Sequence, residues 1–200
     1  MTALSNWFDL QTDYRDGFDA PDLARININQ MVNTHCIVGH FGDQTYFLDV
    51  RYPEIFNSFF AKHKYRCFTF IREPLAMRCS LYRHQNQKND QAKELSLFEH
   101  LCYKDNYTAA ILNVNEENYL ERLDQYFFVA TADNLQKSFD LLATLIKKPK
   151  QQLSLVNTSN LEPNMVQSAL TKEQVLEFKR RNNLDYLIYE YAKTRMNALL

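Results

Sequence analysis

The sequence predicts an α/β fold, a mainly parallel sheet flanked by helices, on three observations. Short apolar runs that read as buried strands recur at 35–40 (HCIVGH), 67–71 (CFTFI) and 126–131 (YFFVAT), with 153–157 (LSLVN) a weaker fourth. The segments between them carry apolar residues at three- and four-residue spacing, the pattern of helices with one buried face. Alternation of the two is the mark of βαβ units, whose sheets are covered on both faces and hold ligands at the carboxyl ends of their strands.

The opening is acidic, with Asp9, Asp13, Asp16, Asp19 and Asp22 against Arg15. After the strand at 35–40 a helix is expected over 52–63, and after the strand at 67–71 another over 74–88. Pro74 suits the first position of that helix, because its φ is preset and its missing N–H is not needed there. Helices over 94–103 and 116–125 precede the strand at 126–131, and one over 133–147 follows it. The last helix spans 171–198: Thr171 and Gln174 form a capping box, and Leu184, Leu187, Ile188 and Tyr191 form an apolar stripe.

Two hundred residues, 46% of them hydrophobic, suffice for one core, so the chain reads as a single domain over 1–200 with an atypical segment at 1–34. No window approaches the roughly 18 consecutive apolar residues of a membrane span, and the amino terminus lacks a basic region followed by an apolar one. A cytoplasmic location is therefore expected, without a membrane partner. Cys36, Cys67, Cys79 and Cys102 form no CxxC pair and read as buried free thiols. His35, His63 and His100 show no metal-ligand spacing, so no metal is expected.

A formal net charge of −1 argues against a nucleic-acid partner, but the distribution is uneven. From Lys62 to Lys88 there are seven Lys or Arg residues and one acid, Glu73. A basic island of this size suits a small anionic ligand better than a polyanion. Inside it, Arg72 ends an apolar strand and stands at the start of the proline-led helix, where free N–H groups and the helix dipole favour an anion. A guanidinium pairs bidentately with phosphate, and Ser80, about two turns into the helix, places a hydroxyl within its reach. Arg72 and Ser80 together describe a phosphate clamp, while Arg78 and Tyr82 read as surface and packing partners. No GxxxxGK(S/T) loop is present, which removes the P-loop kinases from consideration.

The run Arg72-Glu73-Pro74, then Arg78, Ser80, Tyr82 and His84, resembles the R(D/E)P-xx-R-x-S-x-Y element of sulfotransferases that use 3′-phosphoadenosine 5′-phosphosulfate (PAPS). The stretch CIVGHFGDQTYFLDV is similar to the Gly-His element of carbohydrate sulfotransferases, notably the heparan sulfate 2-O-sulfotransferase group, although the triplet here is Val38-Gly39-His40 with only its second histidine. YFFVATADNLQKSFDLLATLI resembles that family's strand and following helix, LVNTSN a later loop near the nucleotide phosphate, and LDYLIYEYAKTRM its closing helix. The resemblance implies a P-loop NTPase-like sheet, PAPS as sulfate donor, and a hydroxyl acceptor, with a carbohydrate first in line. It implies that Arg72 and Ser80 hold the 3′-phosphate, that Thr158 and Ser159 approach the nucleotide, and that His40 is the catalytic base.

One departure separates this chain from the family. Those enzymes open with a strand and a lysine-bearing phosphate loop of the PK(T/S)GxT(S/T) type, whereas residues 1–34 contain no lysine and one glycine, Gly17. No strand and no phosphate loop are expected ahead of His35. The alternative reading is a non-catalytic relative that binds a nucleotide phosphate or a sulfated glycan, or a part of a longer enzyme. Acceptor identity and oligomeric state are open at this level.

Overall fold

The computed structural model describes residues 2–13, 25–39, 41–42, 47–56, 64–88, 95–154 and 169–199. The architecture is mixed α/β, with short parallel strands and helices. Among the described residues there are two parallel strand pairs. β1 (Asp9–Asp13) lies beside β2 (His35–Gly39), and β3 (Phe68–Ile71) beside β4 (Phe128–Thr131). Helices α1 (Thr2–Ser5), α2 (Leu48–Arg51) and α3 (Pro74–Lys88) precede the four helices α4 (Leu97–Cys102), α5 (Tyr107–Leu112), α6 (Tyr119–Asp124) and α7 (Leu135–Leu145). α8 (Lys172–Arg181) and α9 (Asn183–Asn197) close the described chain.

β3 and β4 are in register from Phe68 opposite Phe128 to Ile71 opposite Thr131. Their side chains alternate between two cores, as a period of two requires. Phe70, Phe128 and Ala130 pack with Trp7, Phe139 and Leu142, while Ile71 and Val129 pack with Tyr52, Leu123 and Ile188. Both faces are dry, and the parallel connection between the strands is made by α3 to α6. A smaller core of Leu75, Cys79, Leu101 and Phe178 ties α3 to α4 and α8.

β1 corrects the expectation that no strand precedes His35. DLQTD has one aliphatic side chain and no alternation, so periodicity could not reveal it. What holds it is polar. Asp13 is 1% exposed at its end and receives two hydrogen bonds from Arg51, at 2.6 and 2.8 Å, and one from the Tyr52 hydroxyl. Backbone approach is equally close: a Cβ on Gly39 would lie 2.0 Å from the Asp13 carbonyl oxygen. Glycine at this point of the Gly-His element is what allows β1 and β2 to meet.

Of the helix expected over 52–63, residues 52–56 are described, and there a 3-10 turn at Pro53–Ile55 follows α2. The long helix at 171–198 is two helices. Its capping box is present, Gln174 N–H donating to Thr171 Oγ1 at 3.2 Å and Thr171 N–H to Gln174 Oε1 at 2.9 Å. The break falls at Asn182, whose buried carboxamide donates back to the Phe178 carbonyl at 2.8 Å and accepts from the Asn106 N–H at 2.8 Å. α9 buries Leu184 and Ile188 as expected, but Leu187 is exposed and Tyr189, Ala192 and Met196 complete the buried face. Of the weak strand at 153–157, Leu153 and Ser154 are non-regular and the remainder lies outside the described residues.

α5, which the sequence reading omits, starts where α9 starts, and the two cap each other. Asp185 accepts from the Thr108 and Ala109 N–H groups at 2.9 and 2.8 Å, and Asn106 Oδ1 accepts from the Leu184 and Asp185 N–H groups at 3.1 and 3.3 Å. Burial pushes the Asp185 carboxyl above the usual carboxylate range, against the pull of its two amide donors. At the other end of the chain Trp7 stacks on Phe139 with ring centres 4.4 Å apart, and its indole N–H donates to the Pro149 carbonyl at 3.0 Å. Lys148 and Gln151 return hydrogen bonds to the Trp7 and Ala3 carbonyls at 3.0 and 2.6 Å.

The four thiols are free. Burial raises Cys36 to about 11, Cys67 to about 12 and Cys79 to about 11. Among the described residues no helix is long and apolar enough to cross a membrane.

Two expectations follow from these contacts. Gly39→Ala should cost roughly 1–3 kcal/mol in urea unfolding, because the added methyl meets the Asp13 backbone, which cannot swing aside, as well as the Phe41 ring. Asp185 binds its proton more tightly in the folded chain than in the unfolded one, so its contribution to stability shrinks as pH rises through its raised folded pKa. Unfolding free energies measured from pH 7 down to pH 4 should therefore move in favour of the parent over Asp185→Asn as the pH falls.

Candidate functional site

The structure carries Arg72 to the expected place. It follows Ile71, the buried last residue of β3, and precedes α3, so it stands at the carboxyl end of that strand. Both Arg72 and Ser80 are half-buried, and among the described residues neither side chain takes part in a hydrogen bond or ion pair. A guanidinium ahead of a helix and a hydroxyl two turns into it, both with open hydrogen-bonding capacity, are groups that can receive an anion. Along α3, positions 73, 76, 77 and 80 recur at three- and four-residue spacing and share a face, with Ser80 roughly 10 Å along the axis from Glu73.

The helix N-terminus itself corrects one expectation, because its anion is already supplied by the chain. Glu73 accepts the Ala76 N–H at 2.6 Å through one carboxylate oxygen and the Tyr186 hydroxyl at 2.8 Å through the other. Its backbone carbonyl takes the Met77 N–H at 2.9 Å, so Glu73 is the capping residue of α3. The Tyr186 phenol is pushed upward by burial and by the Glu73 carboxylate. Phosphate at this entrance would depend on Arg72 and Ser80, not on free amides of the first turn.

Arg78 is a second correction. It is 2% exposed, not a surface residue, and it donates to the His100 carbonyl at 2.7 Å and lies over the Tyr107 ring at 4.9 Å. Desolvation lowers its pKa, with Tyr107, Asp185 and Asp105 opposing. It joins α3 to α4 and α5 and is closed to a ligand. Tyr82 packs against the His100 ring with centres 5.1 Å apart and donates to the Leu95 carbonyl at 3.4 Å. His84 is exposed on α3. His100 shares a hydrogen bond with the Gln85 carboxamide oxygen at 2.7 Å, and burial followed by Arg78 lowers its pKa.

His40, Thr158 and Ser159 lie outside the described residues, so of the expected site the structure describes Arg72, ahead of α3, and Ser80, within it. Among the described residues no group of three or more His, Cys, Asp or Glu side chains could hold a metal ion. A cleft of about 380 Å³, which the sequence reading missed, opens elsewhere and includes neither Arg72 nor Ser80 in its lining. No family model, curated protein or solved structure matches this chain.

The Glu73 cap generates a prediction of its own. Glu73→Gln keeps an acceptor for the Ala76 N–H but removes a negative charge next to Arg72. Affinity for inorganic phosphate or a nucleotide phosphate, measured by calorimetry at low salt, should rise severalfold, and the gain should fade as ionic strength increases.

Proposed function

We propose that this chain is a sulfotransferase-like protein that grips the 3′-phosphate of PAPS with Arg72 and Ser80 and transfers its sulfuryl group to an acceptor hydroxyl, on a carbohydrate. The observation that carries this reading is the guanidinium of Arg72, without a partner among the described residues, at the exit of β3, with the open hydroxyl of Ser80 on the helix that follows. The residue types and their order are those of the resembled element, with three residues instead of two between Pro74 and Arg78, and the parallel α/β pairing is compatible with a P-loop NTPase-like sheet.

The chemistry is an in-line displacement at sulfur. The acceptor oxygen forms the new S–O bond as the S–O bond to the 5′-phosphate breaks, and the acceptor proton passes to a base. His40 fills that role in this reading, since a neutral imidazole accepts a proton near pH 7. Arg72 and Ser80 do not touch the reacting atoms. They fix the nucleotide so that the donor sulfur is held in line.

A second reading is favoured by one feature of the sequence: no lysine stands anywhere in residues 1–34. A departing phosphate without such a cation loses much of its transition-state stabilisation. The chain is then a non-catalytic binder of a nucleotide phosphate or sulfated glycan, or the part of a longer enzyme that follows the phosphate loop.

Titrating 3′-phosphoadenosine 5′-phosphate by calorimetry tests what the first reading requires. Arg72→Ala should weaken binding by about 2 kcal/mol, roughly 30-fold, since the arginine is only half-buried. Ser80→Ala should cost about 1 kcal/mol, roughly fivefold. Parent-like affinity in both variants refutes the clamp. Sulfate transfer from labelled PAPS then separates the two readings, binding without turnover favouring the second.

A further inference from the structure

The cleft is built from three parts of the chain. Ala109, Ala110 and Asn113 come from the end of α5, Val114, Asn115 and Asn118 from the turn that follows, Arg122 from α6, and Phe47 from the residue ahead of α2. Its polar groups are held rigidly. Asn115 Oδ1 accepts the Glu117 and Asn118 N–H groups, each at 3.0 Å, and Asn118 Oδ1 accepts the Asn115 N–H at 2.8 Å. With both carboxamide oxygens committed to the turn, the two Nδ2 groups are fixed donors that have no partner among the described residues.

Asn113 has the opposite polarity. Its Nδ2 donates to Asp49 at 2.9 Å, which leaves its oxygen as an acceptor. Arg122 adds no net charge, because it pairs with the same Asp49 carboxylate at 3.1 Å and lies over the Phe56 ring at 4.9 Å. The exposed Glu116, Glu117 and Glu121 surround the turn and disfavour an anion. Phe47, Val114 and the alanines supply apolar surface between the polar groups.

Preset donors and an acceptor of zero net charge, an aromatic side chain and an acidic rim match one ligand class. We infer that this cleft binds an uncharged saccharide, one or two rings deep, and does not bind a sulfated or uronic acid polymer. Sugar hydroxyls both accept and donate, so they satisfy the Asn115 and Asn118 Nδ2 groups and the Asn113 oxygen together, while the C–H face of a ring packs on Phe47. The volume lies at the lower end of the roughly 300–1,000 Å³ range of small-molecule sites. The inference rests on the proposed function only in calling this saccharide the acceptor; binding is measured without nucleotide, so either idea can fail alone.

The test is a titration of the isotopically labelled full chain with maltotriose and cellotriose, and separately with a heparin-derived tetrasaccharide, reading the side-chain amide resonances of Asn115 and Asn118 by NMR. A neutral probe should shift both resonances saturably, and the heparin fragment should leave them in place. Asn115→Asp combined with Asn118→Asp keeps the turn acceptors and deletes the donors, and should weaken neutral binding about tenfold or more with an unchanged unfolding midpoint. Phe47→Leu, which adds no charge, should also weaken it. Absence of a saturable shift with either neutral sugar, a larger shift with the heparin fragment, or parent-like affinity in the folded variants overturns the inference.

Discussion

The pair of parallel strands β3 and β4, dry on both faces, is the constraint from which most of the molecule follows. Parallel neighbours cannot be joined by a tight turn, so the chain must leave β3, cross over through helices and return. Each face then needs its own cover. α7 and Trp7 supply one, and α6, α9 and the residues after α2 supply the other. The apolar side chains of β3 and β4 are committed to these layers, and Arg72 is the first charged residue after β3. A charge at that point has nowhere to go but the carboxyl edge of the strands, which is why the strand can end in an arginine at all.

Polar groups inside the fold are handled by capping more than by ion pairing. Asp185, Asn106 and Asn182 join three helix ends with hydrogen bonds to backbone amides and carbonyls. Glu73 does the same for α3 and recruits Tyr186. Arg78 is held by a carbonyl and an aromatic face, and among the described residues its Nε has no hydrogen-bond partner. Two arginines six residues apart, one ahead of α3 and one within it, thus have different surroundings. One is sealed among α3, α4 and α5 as a strut, and the other is left open at the helix entrance.

The strands at 35–40, 67–71 and 126–131 and the proline-led helix were legible in the sequence because their apolar runs are continuous and their boundaries carry recognisable residues. β1 was not, since Asp13 is buried by a partner 38 residues away, and no local pattern announces such a contact. α5 is a six-residue helix stabilised from α9, and the division at Asn182 depends on a side chain folding back on its own helix. In the proposed clamp, Arg72 and Ser80 are suggested by spacing; the occupation of the helix N-terminus by Glu73 is not, because a glutamate there is equally able to face solvent. The asparagine-lined cleft is assembled from residues 47 to 122, and within 113–118 the asparagines suggest only a turn.

The seat of Trp7 has a consequence for how the protein is made. Its indole is anchored to a carbonyl 142 positions later, so the flank of β1 stays unsealed until most of the polypeptide has been synthesised. Contacts of such long sequence separation close late and slow the search for the native topology. Until Pro149 has left the ribosome, an aromatic pair at residues 7 and 8 is exposed on the nascent chain, and this is the stage at which a holding chaperone has most to protect.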